Sequence, residues 1–114
     1  MCGIAGELRF DPGPSPADWA KISSLMRRRG PDDEGLWEDP HCTLAFRRLA
    51  ILDLSPRGHQ PMADPSGRYI LVFNGEIYNF RELRADLEAL GETFSSSGDS
   101  EVLLRALIRW DVAA

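Results

Sequence analysis

Apolar residues recur at steps of three and four in three segments of the chain, which is the pattern of a helix with one buried face. The first segment, residues 17–28, ends before Gly30-Pro31, and the second, residues 80–90, ends at Gly91. The third covers residues 100–110. The positions expected to face a core are Trp19, Ile22, Leu25 and Met26; Phe80, Leu83, Leu87 and Leu90; and Val102, Leu103, Ala106, Leu107 and Trp110.

Short segments with the alternating or β-branched composition of strands lie between these helices. Asn74-Gly75 predicts a two-residue hairpin turn that leads into a short strand over residues 76–78. Residues 53–67 are rich in Pro and Gly and predict a long loop. The other predicted strands are residues 3–10, 35–38, 43–52, which is broken by Arg47-Arg48, and 68–73.

The start of the second helix carries its own signal. Asn79 is a favourable N-cap residue, and Glu82 follows three positions later, as in a capping box. Strands and helices are interspersed along the chain without a regular βαβ repeat. The sequence therefore predicts an α+β fold.

Length and charge narrow the class of protein. The 114 residues fit one domain, and 43% are hydrophobic. The net charge of -5 and the pI near 4.9 argue against a protein that binds nucleic acid through its phosphates. The short basic run Arg27-Arg28-Arg29 is followed at once by acidic residues. We expect no nucleic-acid partner.

Cysteine content and hydropathy point to a cytoplasmic protein with reduced thiols. Cys2 and Cys42 do not make a disulfide framework, and Cys and His are not at metal-ligand spacing. The first ten residues contain charges, so no signal peptide is predicted. The longest apolar run, residues 69–73, is far too short to span a bilayer. The oligomeric state is not predicted.

Cys2 directly follows the initiator Met1, and this position carries the candidate chemistry. If Met1 is removed, Cys2 has both a thiol and a free α-amine. Thiols and α-amines both titrate near neutral pH, so the amine can act as the base for the nucleophile. In isolation, a cysteine at position 2 is most simply an accident of sequence. Other polar stretches decide between the two interpretations.

Five stretches combine unusual polar residues with predicted turns or strand ends. The third of them, residues 47–53, has two consecutive arginines, and the first has Gly3 and Gly6 beside the thiol. In order along the chain they are CGIAG at 2–6, RGPDDEG at 29–35, RRLAILD at 47–53, NGEIYN at 74–79 and SGDSE at 97–101.

Together, in this order, these stretches resemble the glutaminase domain of glutamine-hydrolysing asparagine synthetases, a class II glutamine amidotransferase. The resemblance covers the chain from Cys2 to about Trp110. It implies an N-terminal-nucleophile hydrolase fold, which is an αββα sandwich. It also implies that Cys2 attacks the side-chain amide carbon of glutamine. The Asn74 amide and the Gly75 N–H would then form the oxyanion hole.

The same resemblance assigns the substrate-binding residues. Arg48 would bind the α-carboxylate of glutamine and Asp99 its α-ammonium group, with Glu76 assisting at that end. The main chain of Leu49, Ala50, Ile51 and Leu52 would line the pocket. No cofactor is implied for this domain, since ATP and Mg belong to a separate synthetase domain.

Each assigned residue also has a purely structural interpretation. Taken alone, Arg48 is a strand residue paired with an acid, Asp99 is a helix cap, and Asn74-Gly75 is a turn. The joint pattern favours the functional interpretation. Asp32 receives no chemical role, and neither do His41 and His59. Cys42, Tyr78 and Phe80 are expected to be buried.

Two alternatives to an asparagine-synthetase glutaminase remain open. One is a truncated, non-catalytic module that binds glutamine or regulates another protein. The other is the glutaminase part of another class II amidotransferase, such as a glucosamine-phosphate synthase. We expect residues 1–114 to be the N-terminal part of a type 2 glutamine amidotransferase domain, with the synthetase domain absent.

Overall fold

The computed structural model describes residues 1–112, and the chain forms a small α+β domain with antiparallel sheets. It divides into two compact units. The first unit contains Met1–Ala50, His59–Pro61 and Val72–Asn74. The second contains Ile51–Gly58, Met62–Leu71 and the chain from Gly75 onwards.

The first unit is built on a three-stranded antiparallel sheet. Its strands are β1 (Gly3–Leu8), β2 (Asp33–Glu38) and β3 (Cys42–Arg48), and β3 lies in the centre. Ala45 and Phe46 of β3 are almost completely buried, and as successive strand residues they lie on opposite faces of the sheet. The strand register places Gly3 and Glu34 on either side of Arg47. Cys2, which immediately precedes β1, therefore lies at the end of the sheet where β3 terminates.

The predicted strand over residues 43–52 is too long at its C-terminal end. β3 stops at Arg48, and residues 49–52 lie outside the sheet. The main chain of Leu49 and Ala50 bonds instead to the side chains of Cys2 and Asp32. Side-chain hydrogen bonds have therefore replaced the strand ladder at this point.

The first helix is shorter than its apolar spacing predicts. α1 spans Trp19–Leu25, and Asp18 caps it by accepting a hydrogen bond from the Lys21 N–H at 3.1 Å. After Leu25 the chain tightens into turns that lead to Gly30. Leu25 is 76% exposed, so its predicted core position is wrong.

The second unit contains a hairpin at a different position from the one predicted at Asn74-Gly75. β4 (Met62–Ala63) pairs with β5 (Ile70–Leu71), and the Asp64 carboxylate closes the turn by accepting the Ser66 and Tyr69 N–H groups. The predicted strand over residues 68–73 is thus reduced to two residues. In the described chain, Asn74-Gly75 does not join two strands and residues 76–78 are not a strand. The aspartate turn competes successfully with the Asn-Gly signal.

Two helices pack together in the second unit: α2 (Phe80–Ala89) and α3 (Asp99–Trp110). Their most buried side chains are Leu87, Val102 and Leu104. Gly91, with a φ of 95°, ends α2 and donates its N–H to the Glu88 carbonyl, which confirms the predicted stop.

Several predictions for these helices are wrong in detail. Within the described residues, the Asn79 side chain makes no capping hydrogen bond. Leu90 and Leu107 are 46% and 36% exposed, because the buried faces centre on Leu87 and Leu104. Tyr78 precedes α2 and is 92% exposed rather than buried.

A buried carboxylate fastens the loop before β4 to the segment before α3. Asp53 is 8% exposed and accepts hydrogen bonds from the N–H groups of Ser55 (2.8 Å) and Ser97 (2.9 Å). The hydrogen bonds from Ser55, followed by those from Ser97, hold the pKa of Asp53 far below its ordinary value. Ionised Asp53 therefore stabilises the second unit.

Asp53→Asn should destabilise the chain by about 1–2 kcal/mol near neutral pH, since a charged acceptor is replaced by a neutral one. Because the folded pKa is lowered from 3.8, this stabilisation is complete above about pH 4 and is lost as the pH falls through the folded pKa. Thermal unfolding at several pH values should show the difference between wild type and variant shrinking in acid. A constant difference would contradict it. Asp86→Asn, at an exposed position of α2, is the control.

Candidate active site

The Cys2 thiol lies immediately before β1 and contacts the main chain beyond β3. The Leu49 N–H donates to Cys2 Sγ at 3.3 Å, and the thiol in turn faces the Leu49 carbonyl oxygen at 3.7 Å. Arg29 Nε donates to the Cys2 carbonyl at 3.2 Å. The thiol is unpaired with any other cysteine and half-buried. A nucleophile candidate is thus held on both its side chain and its main chain.

Asp32 holds the same segment from the other side. Its N–H donates to the Arg48 carbonyl at 2.9 Å, and its carboxylate accepts the Ala50 N–H at 2.8 Å. Gly30 makes this approach possible, because a Cβ there would lie 2.3 Å from the main chain of Arg47. The structure therefore brings together residues from the first three of the five polar stretches.

The two consecutive arginines of β3 have different surroundings. Arg47 donates to the Gly30 carbonyl at 2.9 Å and to Glu34 at 2.6 Å, so it fastens the loop after α1 to the sheet. Arg48 is also buried, and register places it opposite Asp33. Successive strand residues point to opposite faces, so the Arg48 side chain lies on the other face of the sheet from Arg47. This separation is compatible with different roles for the two residues.

Asn74, the predicted oxyanion donor, follows a residue whose main chain is fixed on both sides. The Phe73 N–H donates to Gln60 Oε1 at 2.6 Å, and Gln60 Nε2 donates to the Phe73 carbonyl at 3.3 Å. Gln60 is 4% exposed. Gly35 admits it, because a Cβ at Gly35 would lie 1.9 Å from the Gln60 carbonyl oxygen. Sequence reasoning missed Gln60, since one glutamine in a Pro-rich loop carries no distinguishing signal.

The remaining predicted residues belong to the second unit. Asp99 is 7% exposed at the first position of α3, and its carboxylate accepts the Ile77 N–H at 2.9 Å. It therefore fixes the stretch that contains Gly75 and Glu76, both of which are exposed. Gly98, rather than Asp99, is the N-cap of α3.

Ile51 and Leu52 form a bend after the first unit, and their side chains are 63% and 51% exposed. Among residues 1–112 there is no group of His, Cys, Asp and Glu that could hold a metal ion. In the same range, no helix is long and apolar enough to cross a bilayer.

Comparison with known proteins identifies the family. The sequence model of a family described as a glutamine amidotransferase domain matches residues 1–114. The chain belongs to this family. The amidotransferase domain is 43% identical over 108 residues to "Asparagine synthetase [glutamine-hydrolyzing] 1" of Bacillus subtilis, a match that covers 91% of this chain and 17% of the relative.

Other asparagine synthetases match the amidotransferase domain to a similar degree. A relative from Sandersonia aurantiaca is 42% identical over 106 residues, covering 90% of this chain and 19% of that protein. A putative asparagine synthetase of Methanocaldococcus jannaschii is 38% identical over 123 residues, covering 92% and 23%. The chain thus spans about a fifth of the length of these relatives. The predicted resemblance to a glutamine amidotransferase domain is confirmed.

Proposed function

We propose that this domain hydrolyses the side-chain amide of glutamine to glutamate and ammonia through a thioester on Cys2. The observation that carries the proposal is the Cys2 thiol, held by the Leu49 main chain in a member of the glutamine amidotransferase domain family. The relatives are named for glutamine hydrolysis, which supports the same reaction.

The proposed reaction has two halves. The Cys2 thiol gives its proton to the α-amine exposed by loss of Met1, and Sγ attacks the amide carbon of glutamine. The negative oxygen of the tetrahedral intermediate is stabilised by the Asn74 amide and the Gly75 N–H. Ammonia leaves with the proton, and a thioester remains. Water then attacks the thioester, releasing glutamate and restoring the thiol.

The substrate-binding roles follow from the resemblance. Arg48 pairs with the α-carboxylate of glutamine through two parallel hydrogen bonds, for which its planar guanidinium is suited. Asp99 and Glu76 balance the α-ammonium group. The main chain of Leu49, Ala50, Ile51 and Leu52 forms the wall of the pocket. Recognition of both charged ends would select free glutamine over glutamine within a peptide.

We further propose that residues 1–114 are the N-terminal part of a type 2 amidotransferase domain with an αββα sandwich, located in the cytoplasm. Gly3, on one face of the sheet, faces Met26 at the end of α1, whereas Ile4 and Leu8 are exposed on the other face. Gln60 covers part of that face beside Gly35, and a second sheet over the exposed part around Ile4 and Leu8 would complete the sandwich. The ammonia would serve a synthetase domain that uses ATP and Mg.

The N-terminal amine provides the test of this function. Two preparations are compared: one with Cys2 as the first residue and one that retains Met1, each verified by intact mass. Retaining Met1 should lower glutamate release from glutamine by about a hundredfold, because a general base is lost. Equal activity of the two preparations would exclude the amine as the base. Calorimetric binding of glutamine without turnover in either preparation would indicate a non-catalytic module instead.

A further inference from the structure

We propose that Asp32 is a positioning residue that fixes the Leu49 main chain against the Cys2 thiol. This inference rests on the proposed function for its catalytic meaning, but the geometry stands apart from that function. The sequence gives Asp32 no chemical role. In the structure, however, its carboxylate bonds to the segment whose main chain contacts the sulfur.

The contacts involve two consecutive peptide groups. In the first, the Arg48 carbonyl accepts the Asp32 N–H (2.9 Å) while the Leu49 N–H donates to Cys2 Sγ (3.3 Å). In the second, the Leu49 carbonyl faces the Cys2 thiol (3.7 Å) while the Ala50 N–H donates to the Asp32 carboxylate (2.8 Å). Each peptide group therefore has Asp32 at one end and Cys2 at the other. Asp32 can set the orientation of both.

This segment needs such support because the sheet ends before it. β3 stops at Arg48, so Leu49 and Ala50 lie beyond the strand ladder. The loop that carries Asp32 is itself anchored, since the Gly30 carbonyl accepts a hydrogen bond from Arg47 at 2.9 Å. Asp32 therefore holds Leu49 and Ala50 in a fixed position relative to the sheet, although both residues lie beyond the end of β3.

The orientation of these two peptide groups determines whether the Leu49 N–H points at the Cys2 sulfur. A donor directed at sulfur stabilises negative charge there, and the thiolate is the reactive form of cysteine. If the two peptide groups were free to turn, the thiol would lose its donor and its fixed position. A displacement of about 1 Å at a nucleophile can lower a rate by about a hundredfold.

The first test is kinetic and uses Asp32→Ala with Asp32→Asn as the conservative variant. Asp32→Ala should lower kcat for glutamine hydrolysis by about ten- to a hundredfold and leave KM nearly unchanged, since the nucleophile rather than the substrate is displaced. Asparagine keeps an oxygen acceptor for the Ala50 N–H, so Asp32→Asn should stay within about threefold of wild type. Equal losses in both variants would overturn the proposal.

The second test does not require glutaminase activity. Iodoacetamide alkylation of Cys2 is measured by peptide mass spectrometry relative to Cys42 in the same molecule. Asp32→Ala should lower the Cys2 to Cys42 ratio by about fivefold, the effect of one lost hydrogen bond. Asp33→Ala is the matched control: it removes the same charge one residue along, and Asp33 instead contacts Glu34 and His59.

The outcomes separate the two proposals. A wild type without glutaminase activity, combined with a lowered alkylation ratio in Asp32→Ala alone, would refute the function and support the positioning role. An unchanged ratio in a folded Asp32→Ala would overturn the positioning role, whatever the activity. If Asp32→Ala does not unfold cooperatively, Asp32→Asn decides: a wild-type ratio supports the proposal, and a lowered ratio in the folded variant overturns it.

Discussion

Cys2→Ala is expected to abolish glutamate release from glutamine, with a loss of about ten-thousandfold or more, because the proposed nucleophile of both half-reactions is removed. The measurement is enzyme-coupled detection of glutamate over time, with the N-terminus of each preparation verified by mass. Alanine fits the position, since the side chain is only half-buried. Glutamine binding, followed by calorimetry, should persist in the variant.

Cys42→Ala is the control for this substitution. Cys42 starts β3, pairs in register with Leu8 and carries the other thiol of the chain. Cys42 was predicted to be buried and is half-buried, at the opposite end of β3 from Arg48. Its removal should therefore leave activity within about twofold. Residual activity of Cys2→Ala close to that of Cys42→Ala would exclude a Cys2 thioester.

Asn74→Ala should lower kcat by about a hundred- to thousandfold, which corresponds to the loss of one oxyanion donor, roughly 2.7–4 kcal/mol. KM should change little, because the negative oxygen develops only during the reaction. Steady-state kinetics with glutamine would show this division between the two constants.

Tyr78→Ala provides a matched control from the same polar stretch. Tyr78 is 92% exposed, so its truncation should leave both constants nearly unchanged. A loss in Asn74→Ala that appears in KM with kcat intact would assign Asn74 to substrate binding and not to the oxyanion hole.

Local signals in the sequence predicted the parts of the fold that depend on local physics. Gly91 ends α2 because a residue with positive φ is needed there, whereas α1 ends at Leu25, before the predicted stop at Gly30-Pro31. Apolar spacing located three helices and found the buried Leu87 and Val102. Such features depend on residues within a few positions of one another.

The features that sequence reasoning missed depend on side chains that bond to distant main chain. Asp32 reaches Ala50 across 18 positions, and Gln60 reaches Phe73 across 13. No periodicity encodes these bonds, which hold the main chain just beyond the end of β3 and next to Asn74. The polar stretches and the family that they resemble were found from the sequence. The contact between Asp32 and the segment around Leu49 was not.

The bond between Cys2 and Leu49 spans 47 positions of the chain. Cys2 therefore acquires the contact with Leu49 only after β3 has been synthesised and has paired with β1. Long-range contacts of this kind form late, since a large loop must close before they are gained. A chain in which β1 and β3 have not paired would lack the contact between the Leu49 N–H and the Cys2 sulfur, so the surroundings of this thiol depend on completion of the sheet.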